Sequence, residues 1–172
     1  MKKQVFLDKE PIVFSTGGFA EVEIEKPLRL CFDTLTNVNL WPQINQGVTK
    51  EISPENVRLA VGSTFVETIS NPTSGVKDWQ NEWHIIEWIP YQKFVMVGID
   101  HFAHVPIYTR LTYEFSEKNT RSIFFKRTIE VSLNENFKKE ATQEEIEALY
   151  QFLGFQWEMA YYLKNYIESL KE

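Results

Sequence analysis

The chain of 172 residues has one cysteine, seven glycines and seven prolines. With Cys31 alone, no internal disulfide can form, so the fold must rest on packing, and a reducing compartment is expected. Gly, Pro and Ser nowhere gather into a linker, and there is no repeat or low-complexity run, so one domain is expected. Positive charge is scarce: 18 Lys and Arg stand against 24 Asp and Glu, a formal net charge of −6. No basic field is available to displace phosphate counterions, which argues against nucleic acid and against anionic lipid surfaces. Long apolar runs are missing as well. No stretch approaches the ~18 residues of a membrane span, and Asp8, Lys9 and Glu10 interrupt the only apolar beginning, so a cytoplasmic protein without stable membrane insertion is expected. Gly17 and Gly18 precede a strand pattern and no Gly-Lys-Ser/Thr follows, which removes the phosphate loop. The Gly-x-Ser-x-Gly elbow is absent too.

Aromatic residues are abundant. The chain is 43% hydrophobic and 15% aromatic, with 13 Phe, 7 Tyr and 5 Trp. That is too apolar for disorder and long enough for a substantial core. The segment 142–170 carries Ile146, Leu149, Leu153, Ala160, Leu163, Ile167 and Leu170 at helical spacing. A second stripe of Phe152, Phe155, Met159, Tyr162 and Tyr166 runs beside the first. Two stripes make an apolar arc wider than one sheet face needs, so the surplus is expected to meet a ligand cavity or a second subunit. Thr142 followed by Glu145 reads as a capping box at the start of this helix.

Ahead of it the pattern is strand. Gly17-Gly18 reads as a turn or bulge, and Val22 and Ile24 alternate with Glu21, Glu23 and Glu25 in a half-buried strand. Pro27 suits the first position of a short helix with Leu28, Cys31, Phe32 and Leu35 on one face. Asn37 can cap a second short piece carrying Val38, Leu40, Trp41 and Ile44. From 46 to 133 period-two segments follow at 48–51, 63–70, 76–89, 94–100, 107–116 and 122–133, with Val57, Leu59 and Val61 as an extension of the first. The turns between them imply antiparallel pairing, and strands followed by a helix imply an α+β layer arrangement.

This order and several of its segments resemble the Bet v 1-like, START-related helix-grip superfamily, which includes polyketide cyclase and lipid-transport domains. The resemblance is carried by EVEIEKPLRLCFDTLTNVNLWPQINQGV, VRLAVGSTFVETI, EWHIIEWIPYQKFVM and RLTYEFSEKNTRSIFFKRTIEV. It implies a curved antiparallel sheet of about seven strands gripping a long C-terminal helix, with two short helices after the first strand. The domain is expected to span 17–172. Residues 1–16 form an N-terminal extension, whose apolar Val5, Phe6, Leu7, Ile12, Val13 and Phe14 could add an edge strand or cover a cavity mouth. The resemblance also implies a small hydrophobic ligand, of lipid, quinone, polyketide or aromatic type, between sheet and helix. It leaves three functions open: a binding protein, an aromatase/cyclase-like enzyme, and an interaction module or homodimer without a ligand.

The residues suggest where a site would lie. Arg127 shares strand parity with Ile123, Phe125, Ile129, Val131 and Leu133, so its guanidinium needs an acceptor on an apolar face. That acceptor is either a ligand oxygen or Glu67, which falls beside Phe65 and Ile69. Glu67 could also be a desolvated acid. Trp79 and Trp83 share parity with Ile85, whereas Trp88 falls on the opposite face, and Trp83 is the candidate stacking wall. Tyr113, Trp157 and Tyr161 are candidate donors. The ligand-binding expectation is therefore Phe65, Glu67, Trp83, Tyr113, Arg127, Trp157 and Tyr161, with no catalytic residue assigned. Asp100, His101 and His104 lie close in sequence but lack a further ligand, and His84 falls toward solvent, so neither metal nor cofactor is expected. Cys31 reads as core.

Overall fold

The computed structural model describes residues 12–70, 78–100, 107–154 and 156–171. Seven strands build one sheet: β1 (Ile12–Ile24), β2 (Thr49–Ser53), β3 (Thr64–Ile69), β4 (Trp79–Ile89), β5 (Lys93–Asp100), β6 (Ile107–Asn119) and β7 (Ser122–Asn134). Their order is β1-β7-β6-β5-β4-β3-β2, and every neighbouring pair is antiparallel. The helices are α1 (Leu28–Thr36), a 3-10 turn at Val38–Leu40, α2 (Trp41–Ile44), α3 (Glu135–Glu140), α4 (Gln143–Gly154) and α5 (Gln156–Ser169). The sheet curves around α5, which packs chiefly on β1 at the sheet's edge. Among the described residues no helix is long and apolar enough to cross a membrane.

Alternation in the strands sorts the two faces. Along β7, Ile123, Phe125, Arg127, Ile129 and Val131 are buried, while Phe124 and Glu130 are exposed. On α5, Met159, Ala160, Leu163 and Ile167 are buried toward the sheet. Fully burying each such side chain contributes roughly 1.5–3 kcal/mol. The capping box forms as the sequence predicts. Thr142 Oγ1 accepts from the Glu145 N–H at 3.2 Å, and Glu145 Oε2 accepts from the Thr142 N–H at 2.8 Å.

Several local expectations are corrected. Gly17 and Gly18 are not a turn but lie inside β1, opposite Glu130 and Ile129 of β7. A Cβ on Gly17 would collide with the Ile129 carbonyl oxygen, so close approach of two backbones explains the glycine. The first strand starts at Ile12 at the edge of the sheet, which is the edge-strand alternative expected for this segment, while Val5, Phe6 and Leu7 lie outside the described residues. Residues 57–60 form no strand: Asn56 has φ +63°, and its N–H bonds to Asn39 Oδ1 at 3.2 Å, which turns the chain away from β2.

The described residues of segment 142–170 are helical as expected, over Gln143–Gly154 and Gln156–Ser169. An additional helix, α3, precedes them, capped by Asn134 Oδ1 accepting from the Phe137 N–H at 2.9 Å. Finally, β4 and β5 shift register between Ile85 and Glu87, so Ile86 is an extra residue, 48% exposed. This bulge reverses the parity beyond it and puts Trp88 on the same face as Trp83, against Phe32 at 5.3 Å and Phe94 at 5.7 Å. Asn37 precedes the 3-10 turn as expected but makes no side-chain cap bond there.

Candidate functional site

The concave face carries a layer of polar side chains under α5. Glu67 comes from β3, Trp83 from β4, Tyr113 from β6 and Arg127 from β7, each facing inward by the alternation of its strand. Together with Asn45, Met159 and Leu163 they line a void of about 20 Å³, room for a single water. Trp41, Val48, Ile69, Leu111 and Phe125 supply apolar wall.

Glu67 is 3% exposed and held at both oxygens. Thr49 Oγ1 donates to Oε1 at 2.5 Å, and Trp83 Nε1 donates to Oε2 at 2.8 Å. Asn45 Nδ2 donates to Thr49 Oγ1 at 2.7 Å, so the Thr49 hydroxyl proton is committed to the carboxylate. Burial pushes the Glu67 carboxyl above its ordinary value. The Thr49 and Trp83 bonds and the Arg127 charge act against that shift, while Asp100 adds to it.

Arg127 is 4% exposed. Its Nε donates to Tyr113 Oη at 3.4 Å, and its guanidinium lies 5.6 Å from the Tyr113 ring centroid. Among the described residues its Nη1 has no hydrogen-bond partner, and no ion pair joins it directly to Glu67. The two charges act on one another through space only. Tyr113 stacks on Phe94 at 4.5 Å, and burial raises its hydroxyl above the usual tyrosine value despite the Arg127 charge. The site thus holds a desolvated carboxyl with both oxygens hydrogen-bonded and a buried cation, with the incomplete valence on Arg127.

Of the seven predicted residues, Glu67, Trp83, Tyr113 and Arg127 meet around the void. Phe65 is buried but packs edge-on against Trp41 at 5.6 Å, outside the lining. Tyr161 does not reach the interior: it is 45% exposed, because the inward stripe of α5 runs through Met159, Ala160 and Leu163 and leaves Tyr161 on the far side. Trp157 falls in α5, and its side chain lies outside the described residues. Met159, on the stripe expected to meet a cavity or a second subunit, is buried in the lining, while Phe155 lies outside the described residues.

Sequence reasoning missed Asn45, Thr49 and Trp41. Asn45 and Thr49 flank a connection without period, so only the tertiary hydrogen bonds reveal them. Asp100 was also missed. It is fully buried and accepts from Trp79 Nε1 at 3.1 Å, from Asn81 Nδ2 at 2.6 Å and from Thr109 Oγ1.

Cys31 is inert core. Burial pushes its thiol up to about 12, and Sγ donates to the Lys26 carbonyl at 3.6 Å. Among the described residues no group of three or more His, Cys, Asp or Glu could hold a metal ion, and His101 and His104 lie outside them. His84 stays on the outer face beside Glu82 at 3.3 Å.

A seven-stranded antiparallel sheet closed around a terminal helix, with two short helices after the first strand, matches several solved structures. The Zhui aromatase/cyclase from Streptomyces sp. R1128 superposes with a TM-score of 0.63 at 10% identity, over 90% of this chain and 94% of that one. Norcoclaurine synthase from Thalictrum flavum, in complex with dopamine and hydroxybenzaldehyde, gives 0.62 at 12% identity over 99% of both chains. A conserved protein from Geobacillus kaustophilus gives 0.62 at 8% identity, over 88% of this chain and 95% of that one. The chain has the Bet v 1-like helix-grip fold. No protein-family model and no curated protein matches the sequence. At these identities the likeness is one of fold, and the helix-grip chemistry must be read from this chain's own side chains.

Proposed function

We propose that this helix-grip domain binds a small hydrophobic molecule that carries an oxygen acceptor, such as a carboxylate, phenolate or carbonyl, between the sheet and α5. One observation carries the reading. A guanidinium that cannot lose its proton is buried to 96% with Nη1 unpartnered, beside a void walled by aromatic and aliphatic side chains. A ligand oxygen would complete the valence of Arg127, and apolar contact would supply the rest of the affinity.

The void of about 20 Å³ is far below the about 300 Å³ of a typical ligand site. Binding on this scale therefore requires α5 to move off the sheet and Met159, with three rotatable side-chain bonds, to swing out of the lining. The neighbours named above include an aromatase/cyclase and a synthase in complex with dopamine and hydroxybenzaldehyde, which suits an aromatic ligand.

Native mass spectrometry of protein purified from its own source, with extraction of what it holds, tests the reading. A stoichiometric hydrophobic molecule with an oxygen acceptor is expected, and Arg127→Met should reduce its retention at least about tenfold, which is 1.4 kcal/mol. Empty protein, together with an Arg127→Met variant that shows no change in binding of aromatic carboxylates, would defeat it.

A second reading is a cyclase-like enzyme using the same space, and the raised carboxyl of Glu67 supports it. Against it, both Glu67 oxygens already accept bonds from Thr49 and Trp83, which suits a fixed charge better than a proton shuttle. Glu67→Gln would abolish turnover of a poly-β-ketone probe under this reading while leaving binding nearly intact.

A further inference from the structure

We infer that the first half of β1 is a dimer edge: two copies of this chain pair antiparallel along residues 15–21, about a two-fold axis at Gly17, and join their sheets into one. The interface uses no residue that lines the void at Arg127, so it stands or falls independently of the function proposed above.

The sheet has two outer strands, β1 and β2, and the chain treats them differently. β2 is 5 residues long, exposes Lys50 and Glu51, and is followed by Pro54. Short length, charge and proline are the devices that keep an edge from pairing with another chain. β1 is 13 residues long, and its stretch IVFSTGGFA holds neither charge nor proline. The second half of β1 is closed by α5 instead. Lys164 Nζ donates to the Glu23 carbonyl at 2.7 Å, and Glu168 Oε1 accepts from the Glu25 N–H at 2.8 Å.

Those two bonds show that the odd-numbered residues of β1 turn their backbone groups away from β7. The register with β7 is unbroken from Phe14 to Ile24, so Ser15, Gly17, Phe19 and Glu21 do the same. All four are exposed, and Gly17, having no side chain, is exposed through its backbone. Among the described residues their edge-facing N–H and carbonyl groups have no backbone partner. One half of the edge is thus plugged by side chains and the other is left ready to pair.

The occupant that fits is a second copy, because the open stretch complements itself. With Gly17 opposite the other copy's Gly17, Phe19 falls opposite Ser15 and diagonal to the glycine. Phe19 is 65% exposed, and Lys126 Nζ, 5.1 Å from its ring centroid, holds the ring on the outer face. Each Phe19 would cover the bare Gly17 of the other strand, an arrangement that relieves the weakness of glycine in a sheet. The facing pairs 15 with 19, 17 with 17 and 19 with 15 exchange about six backbone hydrogen bonds. The plug at Glu23 stops the pairing at Glu21. The two Glu21 carboxylates then lie about 27 Å apart, well beyond the ~8 Å screening length, so like charges do not meet. Because the β2 edge is guarded, β1 pairs only with another β1, and the contact closes as a two-fold dimer rather than growing into a filament.

Sedimentation equilibrium of the full chain up to about 100 μM tests this, since the dimer fraction follows mass action. A monomer–dimer equilibrium is expected. Phe19→Lys puts a charge on the exposed edge and should raise the dimer Kd at least about tenfold. Ser15→Pro should act in the same direction: its N–H faces the open edge, so the ladder to β7 keeps its bonds. Should Ser15→Pro fail to fold, Phe19→Lys carries the test, because its side chain is already in solvent. The chain has a net charge of −6 and the interface holds no ion pair, so added sodium chloride should tighten the dimer. A chain that stays monomeric overturns the inference. So does a dimer that dissociates in salt, or one whose Kd is unchanged in Phe19→Lys.

Discussion

Asp100 and Glu67 are both buried on the concave face of the sheet, yet the two surroundings differ in what they leave unfinished. Asp100 takes bonds from Trp79, Asn81 and Thr109, and none of these four residues borders the void. Glu67 takes bonds from Thr49 and Trp83, borders the void, and faces a cation whose Nη1 has no partner. The comparison separates two uses of buried charge. A carboxylate on β5 saturated by donors from β4 and β6 ties the three strands together at one end of the sheet. A charge pair that acts only through space, next to a hole, is costly for folding, a cost that the ligand proposed above would offset. The residual loose end near Asp100 is Asn81 Oδ1, which has no hydrogen-bond partner and abuts Gly98.

The largest expected effect breaks the saturated centre. Asp100→Ala removes one acceptor from three donors, each costing about 1–3 kcal/mol when left unpaired, so urea unfolding should show a loss of at least about 3 kcal/mol. A loss under about 1 kcal/mol would erase the distinction drawn here.

Next comes Gly98→Ala. Its Cβ would run into Asn81 Oδ1 and stand 2.8 Å from Trp83 Cε3, so the side chains that feed both carboxylates must shift. A loss of about 2 kcal/mol is expected by thermal melts, from overpacking rather than lost bonding. An unchanged melting temperature would mean that the two layers slide freely past β5.

The smallest effect sharpens the other half of the comparison. Burial raises the Glu67 carboxyl, so the folded protein holds that proton more tightly than the unfolded chain, whose value is near 4.5. The stability contributed by this group is therefore complete below about pH 4.5 and is lost as pH rises through the folded-state value. Wild type should lose stability relative to Glu67→Gln over that rise, measured by urea midpoints at a series of pH values. A constant gap would mean that the Thr49, Trp83 and Arg127 contributions cancel the burial.

Much of the fold is legible in residue order, and the reasons are local. Glu21, Glu23 and Glu25 alternating with Val22 and Ile24 admit a half-buried strand and little else. Thr142 and Glu145 carry their own cap. Arg127 among isoleucines, valine and phenylalanine on one parity declares a buried cation, and Glu67 beside Phe65 and Ile69 declares its counterpart. Parity arguments fail where the register slips. Trp88 is misassigned by the bulge at Ile86, which no composition signal marks. Tyr161 belongs to neither apolar stripe of its helix, and residue type alone suggests an inward place for it, whereas α5 turns Met159, Ala160 and Leu163 inward. Gly17 and Gly18 look like a turn, yet the requirement is set by the Ile129 carbonyl of a strand more than a hundred residues away.

By itself, the sequence determined the layer class, the strand alternation, the helix cap and the inward parity of Glu67 and Arg127, because these depend on periods of two and 3.6 and on neighbours within a few residues. Only the tertiary structure decided that Asn45 and Thr49 hold Glu67, that Asp100 is saturated while Arg127 is not, and that α5 closes the space between them to about 20 Å³. Those outcomes depend on distances between segments far apart in the chain, set by register and by how closely one helix lies on a curved sheet, and no local pattern encodes either.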